Sequence, residues 1–234
     1  GNISDLKSSK TIDARGLHIL PGAIDTQVHF REPGNTDKED LKSGSRAAVA
    51  GGITTVFDMP NNNPSMSTKT LFKKKLNGAK NRMFCNYAFY FGAEKNNTTE
   101  IKKMEKEVGC CGIKVFVGVS TGTLIVSDYK DIKRIMKSTK KMISFHSEDQ
   151  YELNKREKFI KRGDPKSHPK WRNESVCLIC TKNLVKLANQ TKKQIHILHI
   201  TTAEEIELLN KNKKYVSYEV TPQHLVLSSP SCYD

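Results

Sequence analysis

Short apolar, β-branched runs alternate with segments whose apolar residues recur every three or four positions, along nearly the whole chain. The first pattern predicts strands over 23–30, 53–59, 83–91, 112–117, 142–147, 195–200 and 215–220. The second predicts helices over 38–50, 68–79, 99–107, 128–138, 174–190 and 203–211. Clusters of Gly, Pro and Asn mark the junctions. Strands alternating with helices read as a parallel sheet covered by helices, an α/β fold. The glycines, such as Gly51 and Gly52, form neither GxGxxG nor GxxxxGK[ST], so a nucleotide-binding open sheet has no support. Seven strands in one series point instead to a (β/α) barrel. Such a barrel closes with eight, and the eighth is expected beyond residue 234.

Two stretches break the rhythm. Residues 11–20 (TIDARGLHIL) are expected to form a short strand of a small β appendage, ending at Pro21-Gly22 before the first barrel strand. Residues 162–172 (RGDPKSHPKWR) are expected to be irregular, since Pro165 and Pro169 argue against helix.

Composition narrows the function classes. With 36% hydrophobic and 27% charged residues in 234, the chain can bury a core. No apolar run approaches a membrane span, and the first residues lack the apolar stretch of a secretory signal. Six cysteines without framework spacing fit a reducing, cytoplasmic setting. The formal charge of +14 raises nucleic acid as a partner. Its basic clusters at 69–82, 130–141 and 155–172, however, overlap helical or apolar-spaced segments and carry no nucleic-acid signature. They read as solvated helix faces, so neither nucleic acid nor membrane is an expected partner.

The chemistry gathers at strand ends. Alternate residues of a strand share a face, so Asp25, Gln27, His29 and Arg31 are expected to point together into a barrel lumen. Either they bind a ligand or they form a salt-bridged barrel mouth; the pattern leaves both open. Lys114 lies within the apolar GIKVFV, where a free ammonium is disfavoured unless solvated at the strand end. His146 ends MISFH and His199 ends IHILH. Parity puts Ile195, Ile197 and His199 on one face, so His199 is expected inward and His196 towards the helices. Each histidine alone could be a hydrogen-bonded core residue. Three histidines and a lysine, each on a different strand, favour a metal site.

The stretch LPGAIDTQVHFREPG at 20–34 resembles the opening motif of the dihydroorotases, cyclic amidohydrolases of pyrimidine synthesis. The resemblance continues through KED at 38–40, GGITT at 51–55, MPN at 59–61 and GIKVF at 112–116. It runs on through HSED at 146–149, SHP at 167–169, LHITT at 198–202 and EVTPQH at 219–224, in order over essentially the whole chain. It implies a (β/α)8 TIM-type metal-dependent hydrolase barrel beside a small β-sandwich appendage. Residues 1–20 would begin the appendage, and residues 21–234 would be the barrel lacking its C-terminal end. The implied reaction is reversible cyclisation of N-carbamoyl-L-aspartate to L-dihydroorotate by metal-assisted hydrolysis chemistry, with one or two zinc ions. By matching motif, His29 is a ligand of the more buried metal and lines the substrate, Lys114 becomes N6-carboxylated and bridges, and His146 and His199 hold the second metal. Arg31 and Asn61 match positions that hold the substrate's carboxylate, for which a guanidinium fork is suited. A homodimer, or a complex with aspartate transcarbamoylase, is the implied assembly.

Two departures stand out. Gln27 replaces the first histidine of the usual HxH, a weaker ligand or a lost one. The proton-shuttling aspartate of the eighth strand is expected beyond residue 234, so no residue here is assigned as catalytic. Other features carry less. Cys177 and Cys180 form a CxxC on one helix face with no second pair, His18 and His168 read as structural, and His224 is expected near the substrate mouth. Two alternatives remain: a hydantoinase, dihydropyrimidinase or allantoinase type of amidohydrolase, and a non-catalytic scaffold for aspartate transcarbamoylase. Purified residues 1–234 alone are expected to show no dihydroorotate hydrolysis; measurable turnover by this polypeptide would overturn that expectation.

Overall fold

The computed structural model describes residues 7–120 and 124–233. Seven parallel strands lie side by side in sequence order: β1 (Ala23–Val28), β2 (Ile53–Asp58), β3 (Asn86–Gly92), β4 (Cys110–Phe116), β5 (Ile143–His146), β6 (Ile195–Ile197) and β7 (Val216–Tyr218). Helices run between them: α1 (Leu41–Ala50), α2 (Lys69–Ala79), α3 (Thr98–Lys103), α4 (Tyr129–Ser138), α5 (Gln150–Arg156), α6 (His168–Trp171), α7 (Glu174–Thr191) and α8 (Ala203–Asn210). The short α9 (Pro222–Val226) follows β7. The Thr26 hydroxyl on β1 donates to the Glu219 carboxylate just past β7, at 2.7 Å. A flat sheet of this order would hold those strands about 29 Å apart at ~4.8 Å per neighbour, so the sheet is curled. This is the expected barrel geometry, with seven strands among the described residues.

The two faces of the curl differ in kind. Outward-facing Val56, Phe89, Phe91, Ile113, Val115 and Phe145 pack into one apolar layer with Phe72 of α2, Ile132 and Ile135 of α4 and Leu184 of α7. Inside, only a small apolar floor forms from Met59, Tyr90 and Leu198. Side-chain caps set several helix starts: Asp40 accepts from Ser43 N–H in a capping box, and Thr68, Asp128, Asp149 and Thr202 cap α2, α4, α5 and α8. Residues expected as the first turns of α1, α2 and α4 therefore stand just outside the helix.

Three expectations are corrected. The 11–20 stretch forms no strand; Ile12, Leu17, Ile19 and Leu20 are exposed, and no neighbouring strand pairs with them among the described residues. The 162–172 stretch does contain helix. Pro165 opens a 3-10 turn and Pro169 sits in the first turn of α6, where a missing N–H costs nothing. Within the basic cluster at 69–82, Lys75 is not a surface lysine but is buried on α2.

Lys75 answers a carboxylate on the outer face of β2. Its Nζ is 2.6 Å from Asp58 Oδ2 and 2.7 Å from Asn62 Oδ1, while Asp58 Oδ1 accepts from Phe30 N–H. Burial pushes Asp58 up to about 6 and Lys75 down, and the ion pair opposes both shifts. Asp58→Ala is expected to cost about 3–5 kcal/mol in urea denaturation, because it strands a buried ammonium; joint replacement by Asp58→Leu and Lys75→Met should cost much less.

Candidate active site

The first strand delivers its side chains through an irregularity. Asp25 pairs with Val56 and Val28 with Asp58, three residues against two, so alternation is broken between them. Asp25 therefore does not join the lumen face; its carboxylate accepts from Gln27 N–H at 2.9 Å. Thr26 points inward in its place, to Glu219. Beyond the bulge Val28 packs on the outer core and His29 turns to the mouth, where its Nδ1–H donates to Asn61 Oδ1 at 2.9 Å. That bond leaves His29 Nε2 bare. Gln27 Oε1 is buried with no hydrogen-bond partner among the described residues. Arg31 follows in the loop, partly buried, and its guanidinium makes no hydrogen bond or ion pair to another described residue.

Around the lumen, register partners form one ring: Gly92 beside Lys114, Lys114 beside Ser144, Ser144 beside His196, and His196 beside Ser217. Lys114 is 1% exposed, and its Nζ lies 4.6 Å from the Phe116 ring centroid with no hydrogen-bond partner among the described residues. Burial drives its pKa well below the usual lysine value, which favours the neutral amine.

The ring corrects the parity argument for β6. Ile195 and Ile197 belong to the outer core, and His196 faces the lumen. Its Nε2–H donates to Glu219 at 3.1 Å and its Nδ1 accepts from Ser217 Oγ at 2.9 Å. His199 is nevertheless inward, as expected, but by another route. It lies two residues beyond β6 with φ +42°, a left-handed turn that swings its ring to His146.

His146 and His199 meet edge to face, with centroids 4.9 Å apart and His146 Nδ1 3.0 Å from His199 Nε2. His146 Nε2 is 2.6 Å from Glu148 Oε2; a carboxylate only accepts, so that nitrogen carries the proton. His146 Nδ1 is therefore bare and faces His199 Nε2 at hydrogen-bond distance. Burial holds His29 down to about 4 and His199 to about 2, and it lowers His146 as well. Against its burial, bonds from His146 and Arg172 hold Glu148 at about 2.

This donor set fits a divalent cation. Bare nitrogens on His29 and His146, and an amine and an amide oxygen buried without partners among the described residues, each offer a lone pair. No three His, Cys, Asp or Glu side chains form a ready-made metal group among the described residues, so further donors must come from outside those residue types. The site opens into a cleft of about 760 Å³ lined by His146, Glu148, Arg172, His199, His168 and His224. The cleft thus includes His224 and also His168, which sequence reasoning had set aside. His18 is exposed; Cys177 and Cys180 are free thiols, the latter fully buried on α7.

Glu148, Arg172, Thr26, His196 and Glu219 are the polar residues that sequence reasoning did not assign. Glu148 follows His146 at a spacing of two, which was a usable signal. Arg172 comes from a distant turn and gave none.

Residues 18–229 match the amidohydrolase family. A curated dihydroorotase of Pyrococcus abyssi is 34% identical over 230 residues, covering 97% of this chain and 50% of that protein. One of Methanothermobacter thermautotrophicus is 30% identical over 228 residues, covering 96% and 51%. Among solved structures, the L-hydantoinase (dihydropyrimidinase) of Arthrobacter aurescens superposes with TM-score 0.89 at 24% identity, covering 97% of this chain and 53% of that one. The chain spans about half the length of the relatives it matches. No helix of the described residues is long and apolar enough to cross a membrane.

The depressed histidines set a pH dependence. Unfolded, His29 titrates near 6.5; folded, it titrates near 4, so between those values the unfolded state holds more protons. Its contribution is fully present above about pH 6.5 and is lost as pH falls through 4. The urea-unfolding free energy of the metal-free protein should therefore decline across that window, with His29 supplying up to about 1.4 kcal/mol per pH unit. The His29→Gln variant should flatten the slope.

Proposed function

We propose that this chain, which belongs to the amidohydrolase family, is most of the catalytic barrel of a dihydroorotase, interconverting N-carbamoyl-L-aspartate and L-dihydroorotate. Arg31 carries the choice of substrate. Its guanidinium acts on the Glu39 carboxylate through space but makes no hydrogen bond or close ion pair with a described residue, and it stands two residues past His29. A substrate bearing a carboxylate next to the reacting ring needs such a cation, whereas unsubstituted hydantoins and dihydropyrimidines do not. The dihydroorotase relatives at 30–34% identity support the same reading. The hydantoinase likeness speaks to the fold.

In this reading His29, Lys114, His146 and His199 hold the metal, one or two zinc ions, with Gln27 Oε1 as a weak further donor. Zinc supplies Lewis-acid polarisation of the scissile amide carbonyl and makes the attacking water more acidic. The chain's own residues do the rest. Lys114, kept neutral by burial, has the lone pair needed to add carbon dioxide with loss of a proton, giving an anionic carbamate ligand in place of an amine. Asn61 fixes the His29 ring through Nδ1 and leaves its own amide N–H groups for the substrate carboxylate beside Arg31. The proton-shuttling group is proposed to lie beyond residue 234. Residues 1–20 are proposed as the start of a small β domain that covers the exposed Ile12, Leu17, Ile19 and Leu20. A cytoplasmic location, and a homodimer or a complex with aspartate transcarbamoylase, belong to the same proposal.

In the complete enzyme, Arg31→Ala should lower kcat/KM for N-carbamoyl-L-aspartate by about 10- to 150-fold, the loss of a charge-assisted bond of about 1.5–3 kcal/mol. Unchanged kinetics would favour a hydantoinase-type substrate. Full-length protein should carry zinc, and intact-mass analysis should show one carbon dioxide added at Lys114. Normal folding with near-zero bound metal would favour the scaffold.

A further inference from the structure

Glu148 is 5% exposed and bonded on both sides. Its Oε2 takes the proton-bearing Nε2 of His146 at 2.6 Å. Arg172 grips the same carboxylate with two nitrogens, Nε on Oε1 at 2.7 Å and Nη2 on Oε2. Arg172 comes from the turn between α6 and α7, so the pair ties the end of β5 to a separate element. A neutral imidazole has one N–H. If Nε2 keeps it, Nδ1 must be bare, and Nδ1 is the atom that faces His199. Without the carboxylate, the ring could carry its proton on Nδ1 and donate it to His199 Nε2, 3.0 Å away. Neither nitrogen would then have a lone pair free. The guanidinium matters for the same reason: a carboxylate with an unpaired charge could not stay buried at this position.

We propose that Glu148, anchored by Arg172, is a positioning residue that fixes the Nε2–H tautomer of His146 and so keeps its Nδ1, the atom facing His199, unprotonated and available to a cation. This rests on the reading of these two histidines as metal ligands and is independent of which cyclic amide the enzyme takes.

The test uses the full-length protein stripped of metal, with zinc affinity measured by competition against a chromophoric chelator. Glu148→Ala should weaken zinc binding by about 10- to 100-fold. Glu148→Gln, whose carbonyl can still accept from Nε2, should recover part of the loss. Arg172→Met should fall between wild type and Glu148→Ala. The melting temperature of each metal-free variant separates this from a general loss of fold, and nitrogen-15 NMR of the wild-type histidines reads the tautomer directly. A folded Glu148→Ala protein that binds zinc within about twofold of wild type overturns the proposal. A wild-type His146 protonated at Nδ1 overturns it too, even if the alanine variant does not fold. Protein that binds zinc with this variant ranking yet leaves N-carbamoyl-L-aspartate unchanged would sink the dihydroorotase reading and uphold this one.

Discussion

A lysine amine in the middle of the sheet, with no hydrogen-bond acceptor among the described residues, is the constraint around which the lumen is organised. Lys114 sits in β4 with apolar neighbours on the outer face and Phe116 above it. A charged ammonium there would have to lose its hydration without a hydrogen-bonded partner among the described residues, so burial favours the neutral amine. The flanking positions in the ring are small or polar, Gly92, Ser144 and His196, rather than the branched apolar residues that would fill a purely structural barrel. Stability is left to the outer layer, where strand and helix side chains pack without water. The inner face is thereby available for chemistry.

The curl of the sheet gives this arrangement its reach. Thr26, Glu219 and His196 form a chain of hydrogen bonds from β1 across to β6, joining residues 193 apart in sequence at its widest step. Glu219 is also the carboxylate whose charge acts on Lys114. The wall opposite His146 is therefore set by the same contact that shows the curl, and fold and site depend on one another through it. On the other side, Glu148 and Arg172 tie β5 to the α6–α7 turn, so the two histidines sit between anchored elements.

Much of this was legible in the chain because barrel strands obey parity and because chemistry sits at their ends. All seven strands and six of the helices fall where the apolar spacing places them, and Lys114 and His146 face inward as alternation requires. The failures are local and physical. At β1 a bulge exchanges Thr26 for Asp25. At β6 the strand faces the other way, and His199 reaches the site through a left-handed backbone turn that no periodicity encodes. Lys75 looked like one more surface lysine because its partner, Asp58, lies 17 residues away on the next strand inward. The prolines near α6 were read as helix breakers, though each occupies a first turn.

Gln27 sharpens what the lumen is for. An amide in place of an imidazole weakens a ligand, and a lumen that had given up its metal would be expected to bond that amide to its neighbours. Instead Gln27 Oε1 is buried without a donor among the described residues, in a lumen that also holds the Lys114 amine, likewise without a partner there, while the bare Nδ1 of His146 faces His199 at the mouth. A purely structural barrel mouth pairs donors with acceptors, because each unpaired buried polar group costs about 1–3 kcal/mol. Both unpaired atoms, Lys114 Nζ and Gln27 Oε1, carry a lone pair, and the guanidinium of Arg31 stands at the rim rather than among them. A bound cation would complete such a set, which supports the proposed metal site over a relic, with the glutamine as one of its weaker members.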